Sequence, residues 1–250
     1  MKAMVLAAGL GTRLRPLTKD RPKALVEVNG RTLLEIALLR LRGFGIREAI
    51  VNVHHFAELV VAFLKARDNF GMRIEVSRED LLLDTGGGLK KAGWFFLEQS
   101  QDLDEPFLLH NVDVISTLDF TKMLHAHRES KGLATLAVHR RESSRQLLFN
   151  DEMRLCGRRV GEENEPEIVR RAVHLEPLAF TGIHLVSPRL LGLMKEDGAF
   201  SIIDCYLRLA GAGEKIAAFR ADEYYWRDLG RVEDLQQAAT DLERQLPSRA

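Results

Sequence analysis

A chain of 250 residues with 46% hydrophobic and 29% charged side chains has the composition of a globular protein that buries a substantial core. Its 36 basic side chains balance 36 acidic ones, so bulk charge gives no reason to expect a nucleic acid or an anionic membrane as partner. No apolar run approaches the ~20 residues needed to span a bilayer, and the N-terminus lacks a signal-peptide pattern, so we expect a cytoplasmic protein.

Short apolar runs alternate with amphipathic runs through the first half of the chain. The apolar runs predict strands, and the amphipathic runs predict helices between them. The predicted strands are 2–7, 49–55, 72–77, 106–114 and 133–139, and the predicted helices are 33–43, 56–67, 89–98 and 120–130. Thr32 and Glu35 form a capping box at the first helix. This alternation predicts an α/β fold with a Rossmann-like, mostly parallel mixed sheet flanked by helices.

The pattern changes after residue 140. We expect a hairpin over 145–160, an exposed charge-rich loop over 158–171, a longer strand over 178–187, short helices over 188–195 and 202–210, strand pieces over 215–221 and 223–230, and a closing helix over 232–246. Without a linker or an internal repeat, residues 1–250 are expected to form one domain. Cys156 and Cys205 have no metal-ligand spacing and are expected to be free thiols in a reducing compartment.

A long cationic connection follows the first predicted strand, over residues 6–25. In open parallel sheets, ligands lie outside the carboxyl ends of the strands. Gly9 and Gly11 let backbone amide groups approach an anion without a Cβ in the way. Arg13 and Lys23 supply positive charge suited to phosphate oxygens. The loop therefore predicts a phosphate-binding site.

Two other interpretations of this loop stay open on the residues alone. A dinucleotide-binding turn requires G-x-G-x-x-G, whereas Leu14 stands at its third glycine and prolines rather than a helix follow. An ordinary solvated basic loop would also account for the charges.

The stretch LAAGLGTRLRPLTKDRPKAL resembles the signature of the sugar-1-phosphate nucleotidylyltransferases, LAAG-x-GTR-x-x-PLT-x-x-x-PK. The segments DTGGGLKKA, FLLHNVDV, LAFTGIHLVSP and YYWRDLGRVEDL are similar to later segments of that family, in the same order. The resemblance implies the nucleotide-diphospho-sugar transferase fold, with 1–140 as the nucleotide-binding half and 141–250 as the sugar-binding half with the closing helix. The chain is too short for the C-terminal β-helix that longer members carry.

The resemblance also implies roles for single residues. Arg13 matches the arginine that faces the leaving pyrophosphate, and Lys23 matches the lysine that contacts phosphate oxygens at the reacting centre. The full set of residues that it assigns to the nucleotide is Leu6, Ala8, Gly9, Gly11, Thr12, Arg13, Thr85, Gly86, Gly87 and Asn111. A flexible loop without a ligand is the alternative for the glycine run, and a strand-end asparagine bonded to its own backbone is the alternative for Asn111.

Asp113 follows a buried strand at the expected ligand edge. From its position, a ligand-site residue and a loop-starting cap are equally open. Mg²⁺ is typically held by one or two carboxylates together with phosphate oxygens and water. The resemblance implies that Asp113 and Asp228 are the two metal-binding carboxylates. The family usually has glycine before the first aspartate, where this chain has Val112.

On the sugar side, the resemblance assigns Thr181 and Gly182 to the strand that lines the sugar pocket, and Lys23 to the sugar phosphate as well. Many members carry a Glu-Lys-Pro segment whose lysine binds that phosphate, and this chain has no such lysine. Possible substitutes are Arg158, Arg159, Arg170 and Arg171, although a solvated surface charge also explains each of them. The histidines at 54, 55, 125 and 127 do not fit a metal site with any carboxylate at useful spacing and are interpreted as structural or surface residues.

The expected function is therefore Mg²⁺-dependent transfer of a nucleoside monophosphate from a nucleoside triphosphate to a sugar 1-phosphate. In its triple glycine, its compact length and its missing lysine, the chain resembles uridylyltransferase members of the family more than the members with a β-helix, and this resemblance implies UTP and an N-acetylmuramate-type hexose 1-phosphate as substrates. The alternatives are a guanylyltransferase for mannose or heptose 1-phosphate, a non-catalytic sensor of nucleotide sugars, and a dinucleotide oxidoreductase. A sensor should have lost one of the four charges at Arg13, Lys23, Asp113 and Asp228, and all four are present. A homo-oligomer stays open.

Overall fold

The computed structural model describes residues 1–98, 105–161 and 164–245. Fourteen strands are described: β1 Ala3–Leu6, β2 Glu27–Val28, β3 Arg31–Thr32, β4 Glu48–Val53, β5 Arg73–Arg78, β6 Phe107–Asn111, β7 Val114–Ser116, β8 Ala134–His139, β9 Arg145–Phe149, β10 Leu155–Val160, β11 Glu167–Ile168, β12 Glu176–Val186, β13 Ile216–Arg220 and β14 Trp226–Asp228. The α-helices are α1 Leu33–Gly43, α2 Ala57–Ala66, α3 Asp84–Leu97, α4 Phe120–Ser130, α5 Ile202–Gly211 and α6 Val232–Gln245. Short 3-10 helices lie at Thr12–Leu14, Lys23–Leu25, Asp68–Gly71 and Pro188–Leu193.

The centre of the fold is a mixed sheet in the order β11-β10-β9-β12-β6-β1-β4-β5, with β8 beside β12 and β13 beside β8. β1 pairs in parallel with β4 on one side and with β6 on the other. Its residues Ala3, Met4 and Val5 are fully buried, because both faces of a parallel sheet are covered. The apolar run at the start of the chain is the sequence signal of that burial. The predicted α/β fold is confirmed.

The long strand β12 joins the two halves of the chain into one sheet. It pairs antiparallel with β6 on one side and with β8 and β9 on the other. Because β8 and β6 are both antiparallel to β12, they run in the same direction and end at the same edge of the sheet. The sheet thus crosses both predicted halves, whose assignment to nucleotide and sugar stays a prediction.

Helices cover both faces of the sheet. α1, α2, α4 and α6 pack into one buried cluster, with Leu34 and Leu38 of α1 fully buried. α3 and α5 pack into a second cluster, which contains Phe95 and Tyr206. One half of the predicted capping box at α1 is formed, since the Thr32 side chain accepts from the Glu35 amide at 3.1 Å. The sheet therefore lies between two helical layers.

Two predicted elements need correction. α3 begins at Asp84, before the glycine run rather than after it, so these glycines belong to the helix. The predicted loop over 158–171 contains the end of β10 and the short strand β11, which pair antiparallel. Gly157 makes that pairing possible, because a Cβ there would lie 2.2 Å from the carbonyl oxygen of Glu167. Among the residues described, no helix is long and apolar enough to cross a bilayer.

Candidate active site

The charged residues singled out from the sequence gather at the carboxyl ends of β1 and β6. The Val112 amide donates to the carbonyl of Leu6 at 3.1 Å, which links the ends of these two strands. β14 pairs antiparallel with β7, with Asp228 opposite Val114. The amide of Leu229 then donates to the carbonyl of Asp113 at 2.7 Å. These backbone bonds bring the segments of the two aspartates side by side.

The loop after β1 is folded tightly around Gly11. Gly11 has a φ of 62°, in the left-handed region that favours glycine. Its carbonyl accepts from the Thr18 hydroxyl at 2.8 Å. A Cβ on Gly11 would lie 3.0 Å from both the Lys23 Cβ and the Thr18 Cγ2, so the loop closes on itself here. Beside Gly9, in contrast, a Cβ would meet no atom within 4 Å, which leaves that face of the loop open.

Lys23 and Asp113 form an ion pair at the base of this loop. The Lys23 side chain is 9% exposed and the Asp113 side chain 18% exposed. A lysine so deeply buried needs an anionic partner, because an unpaired ammonium group loses its hydration without compensation. The pair fixes the loop to the end of β6 and brings a positive charge next to the predicted metal-binding carboxylate.

Asp228 and Arg13 approach each other against Gly230. The Gly230 amide donates to Asp228 Oδ1 at 2.7 Å. A Cβ on Gly230 would lie 2.6 Å from Asp228 Oδ1 and 2.7 Å from Arg13 Nη2. Only a glycine leaves room for both charged groups at this point. The structure thus brings together Arg13, Lys23, Asp113 and Asp228, as the sequence predicted. Gly230 was missed, although it stands in the quoted WRDLGR segment.

The charges around Asp228 shift its protonation. Burial and the neighbouring charge of Asp113 raise the pKa of the Asp228 carboxyl above its usual value. The charges of Lys23 and Arg13 and the Gly230 amide oppose that rise. Two carboxylates that repel each other at a half-buried position favour a cation between them.

The donor set suits a hard divalent cation that keeps open positions. Asp113 and Asp228 offer only carboxylate oxygens, and Mg²⁺ is typically bound by one or two carboxylates plus phosphate oxygens. Within the described ranges, no group of three or more His, Cys, Asp or Glu residues could form a cage of protein ligands. The two carboxylates therefore fit a metal that a phosphate substrate helps to hold.

Asn111 projects from the end of β6 over Gly182 of β12. Gly182 has a φ of 81°, and a Cβ there would lie 2.7 Å from Asn111 Nδ2. The glycine is required for this close approach and for the irregular pairing of β12 between Phe180 and His184. Asn111 and Gly182 are thus neighbours at the same edge as Asp113. Their contacts to a nucleotide or a sugar stay predictions.

Thr181 has a structural role in this arrangement. Its buried hydroxyl donates to the carbonyl of Ala137 at 2.9 Å, and its own carbonyl accepts from Trp226 Nε1 at 2.8 Å. Trp226 carries the guanidinium of Arg141 on its ring, 4.2 Å from the ring centroid. Sequence reasoning missed Trp226 and Arg141. The available signal for Arg141 was its position just after a predicted strand that ends at the ligand edge.

The glycine run at the start of α3 is required by packing. A Cβ on Gly86 would lie 2.3 Å from the Phe200 ring, and a Cβ on Gly87 would lie 2.3 Å from the Gly198 carbonyl oxygen. The amides of Gly86 and Gly87 donate to the Phe200 carbonyl at 2.9 and 3.3 Å, and Thr85 Oγ1 accepts from the Ile202 amide at 3.0 Å. The amide groups of Gly86 and Gly87 are therefore already occupied. A contact between the nucleotide base and Thr85, Gly86 or Gly87 stays a prediction. A base that bonded to these groups would have to displace the hydrogen bonds to Phe200 and Ile202.

A buried polar network also positions the nucleotide loop. Asn52 accepts from the Ala7 amide at 2.7 Å and donates to Glu79 at 2.7 Å, and Glu79 accepts from the Leu83 amide at 3.0 Å. This network connects the start of the loop to the start of α3. Asn52 was missed, although a polar residue inside an apolar strand is a recognisable signal.

Two of the proposed substitutes for the missing lysine have other partners. Arg158 pairs with Glu167 and Asp204, and Arg170 donates to the carbonyls of Ala210 and Glu214. His127 is buried and bonded to Thr135 at 2.8 Å, as its structural interpretation predicted. Both cysteines are free and buried.

A family model described as nucleotidyl transferase matches residues 2–147, more than half of the chain. The N-acetylmuramate alpha-1-phosphate uridylyltransferase of Caulobacter vibrioides is 35% identical over 91% of each chain. The chain belongs to the nucleotidyl transferase family, in its sugar-1-phosphate branch. Arg13, Lys23 and Asp113 all lie in the matched segment.

Longer relatives and solved structures match as well. The UTP–glucose-1-phosphate uridylyltransferase of Synechocystis is 29% identical over 95% of this chain, and a mannose-1-phosphate guanyltransferase of Debaryomyces hansenii is 29% identical over 94%. The chain spans 62% of the length of each. Among solved structures, a UDP-glucose pyrophosphorylase in complex with UDP-glucose has a TM-score of 0.77 and 16% identity over 98% of both chains. HddC of Yersinia pseudotuberculosis has a TM-score of 0.73 and 20% identity, over 96% of this chain and 99% of its own. At these identities the structural likeness concerns the fold alone.

Proposed function

We propose that this chain transfers uridylate from UTP to an N-acetylmuramate-type hexose 1-phosphate, which yields a UDP-sugar and pyrophosphate. The observation that carries the reaction class is the assembly of Arg13, Lys23, Asp113 and Asp228 at one edge of the sheet. The relative from Caulobacter vibrioides, matched over 91% of both chains, supports the choice of base and acceptor.

The reaction brings two anions together, and the chain supplies the cations that this requires. A phosphate oxygen of the acceptor attacks the α-phosphorus, and the bond from that phosphorus to the pyrophosphate oxygen breaks in line with it. Arg13 holds the departing pyrophosphate, and Lys23, paired with Asp113, faces oxygens at the reacting phosphorus. Catalysis is then positioning and charge stabilisation, without a covalent intermediate on the protein.

Enzymes of this family generally use a divalent metal, and we assign Mg²⁺ to Asp113 and Asp228. When bound, Mg²⁺ neutralises charge on the phosphate oxygens that meet at the α-phosphorus. Burial and the repulsion from Asp113 both raise the pKa of Asp228, and the repulsion supports a cation between the two carboxylates. Gly230 holds Asp228 Oδ1 through its amide, so that the carboxylate keeps one orientation.

A second candidate is guanylyl transfer to mannose 1-phosphate or heptose 1-phosphate. The mannose-1-phosphate guanyltransferase of Debaryomyces hansenii, 29% identical over 94% of this chain, favours it. Uracil and guanine present different hydrogen-bonding edges, and a pocket built for one leaves buried groups unpaired with the other. Each such group costs ~1–3 kcal/mol, or about 5- to 150-fold in kcat/KM.

One panel tests both candidates. Each of the four common nucleoside triphosphates is combined with N-acetylmuramate, N-acetylglucosamine, glucose, mannose and heptose 1-phosphates, and Mg²⁺-dependent pyrophosphate release is measured. The expected result is the highest kcat/KM for UTP with N-acetylmuramate 1-phosphate. A preference for GTP with mannose or heptose 1-phosphate would make the second candidate correct. Binding of a nucleotide sugar without turnover of any pair would indicate a sensor.

We also propose that the protein works in the cytoplasm. Cys156 and Cys205 are free and buried, which suits a reducing compartment. Both substrates of the proposed reaction are small phosphorylated molecules, and the balanced charge of the chain gives no reason to expect a nucleic-acid partner.

A further inference from the structure

Arg141 follows β8 and lies at the same edge of the sheet as Asp113 and Asp228. β8 runs in the direction of β6, so the residues after both strands reach that edge. Trp226, whose ring contacts the Arg141 guanidinium, lies two residues before Asp228 on β14, which places Arg141 near the second carboxylate. Arg141 thus belongs to the region where the substrates of the proposed reaction meet.

The Arg141 guanidinium is held in place by an aromatic surface. It lies 4.2 Å from the centroid of the Trp226 ring. Trp226 is itself fixed by the bond from its Nε1 to the carbonyl of Thr181, at 2.8 Å. Stacking on indole orients the planar fork of an arginine while leaving its edge free to donate hydrogen bonds.

The hydrogen-bonding capacity of Arg141 is poorly used. Its Nε is buried and has no hydrogen-bond partner among the described residues. Its terminal nitrogens make only long bonds, to the carbonyl of Glu142 at 3.3 Å and to that of Phe180 at 3.5 Å. No carboxylate of the described ranges lies within ion-pair distance of it, whereas the adjacent Arg140 is paired with Glu176. A partly buried guanidinium without an anionic partner is costly unless a ligand supplies an anion.

We propose that Arg141 binds the phosphate group of the sugar 1-phosphate and holds it beside Asp228. This assignment rests on the proposed function for the identity of the ligand. The loop after β1 supplies Arg13 and Lys23 to the triphosphate. Arg141 packs on Trp226, which is hydrogen-bonded to Thr181 of β12, and the family resemblance assigns this strand to the sugar. An arginine fork matches two oxygens of a phosphate at once.

The tryptophan gives a readout that does not depend on turnover. The chain has two tryptophans, and Trp94 on α3 is 49% exposed. In a Trp94→Phe background, the remaining emission reports on Trp226. Titration with inorganic phosphate or glucose 1-phosphate should change this emission with saturation, whereas uncharged glucose should not. Glucuronate, which carries a carboxylate and no phosphate, distinguishes the two kinds of anion.

Arg141→Gln should weaken the fluorescence-detected affinity for glucose 1-phosphate by about 10- to 100-fold, the loss expected for charge-assisted hydrogen bonds. Arg141→Lys, which keeps the charge but not the fork, should lose less, and it tests the assignment if the glutamine variant does not fold. Arg140→Ala is the matched control, because it removes the same charge from an exposed neighbour paired with Glu176. In steady-state assays, Arg141→Gln should raise KM for the acceptor and leave KM for the nucleoside triphosphate within about twofold.

Three results would overturn the assignment: no emission change with either phosphate probe, equal affinities in the parent, Arg141→Gln and Arg141→Lys proteins, or a response to glucuronate but not to glucose 1-phosphate. Phosphate binding that depends on Arg141, in a protein that turns over no sugar 1-phosphate, would uphold the site and refute the proposed function.

Discussion

Lys23 pairs with Asp113 across 90 positions of the sequence, and this ion pair joins the nucleotide loop to the strand end that carries the first predicted metal ligand. Both partners are mostly buried, so neither is free to act as an isolated surface charge. Substitution of either residue therefore affects the position of the loop as well as the charge at the reacting phosphorus.

Lys23→Met should lower kcat by about 10²- to 10³-fold, because it removes a fixed positive charge from the reacting centre. Steady-state kinetics with saturating Mg²⁺ measures the effect, and circular dichroism monitors folding. Lys19→Met is the matched control, since Lys19 is an exposed lysine of the same loop. Equal losses in the two variants would mean that the loop needs only general positive charge.

Asp228→Asn should stabilise the metal-free protein at neutral pH while it abolishes most activity. The pKa of Asp228 is raised in the folded state, so the folded protein binds this proton more tightly than the unfolded chain. The contribution of Asp228 to the free energy of unfolding therefore falls as the pH rises from the ordinary aspartate pKa to the raised pKa of the folded state. The variant removes that penalty, and Tm should rise by about 2–4 °C for each kcal/mol regained.

Thermal unfolding in EDTA between pH 4 and pH 8 measures whether Asp228→Asn raises Tm, as expected, or lowers it. Asp241→Asn is a control of opposite sign, because bonds from Gln237, Tyr225 and Arg227 lower the pKa of Asp241. The Asp241 carboxylate stabilises the fold above the ordinary aspartate pKa, and this stabilisation is lost as the pH falls through the lowered pKa of the folded state. A lower Tm for Asp228→Asn at neutral pH would show that Arg13 and Lys23 outweigh the repulsion from Asp113.

Gly230→Ala should reduce kcat by about 10- to 100-fold, because small displacements of reacting groups are costly. The added Cβ would lie 2.6 Å from Asp228 Oδ1 and 2.7 Å from Arg13 Nη2, so at least one of them must move. Gly43→Ala is the matched control, since a Cβ at Gly43 meets no atom within 4 Å. Unchanged kcat in Gly230→Ala would mean that Asp228 and Arg13 adjust without loss.

Gly86→Ala should lower Tm strongly, because the added Cβ would lie 2.3 Å from the Phe200 ring and 2.9 Å from the Phe200 carbonyl oxygen. Phe200→Ala makes room at the ring but keeps the carbonyl, so the double variant should regain part of the lost stability. Differential scanning calorimetry measures Tm, and KM for the nucleoside triphosphate is compared at a temperature where all variants are folded. A KM change without a Tm change would favour the predicted contact to the base.

The elements of the first half could be predicted from the sequence because buried parallel strands are uniformly apolar and helices show a 3.6-residue period. The cationic loop and Asp113 could be located because parallel strands end at one edge of a sheet. Asp228 and the roles of single residues came from the family resemblance, since no local pattern connects residues so far apart.

What sequence reasoning missed depends on contacts between distant segments. The Phe200 carbonyl occupies the amides of Gly86 and Gly87, yet nothing in the sequence around Phe200 indicates such a contact. The short strand β11 exists through its pairing with β10, which a charge-rich sequence does not reveal. Arg141 is singled out by its position on Trp226 and by its buried Nε, which has no hydrogen-bond partner in the described ranges, and the sequence shows neither feature.

β12 bears on how substrates enter and products leave. This strand is hydrogen-bonded to β6 of the first half and to β8 and β9 of the second. A hinge that swung the halves apart would have to break one of these ladders, and this holds even though the pairing of β12 with β8 is irregular around Gly182. We therefore expect the loops along the sheet edge, rather than a hinge between the two halves, to move when substrates bind and products leave.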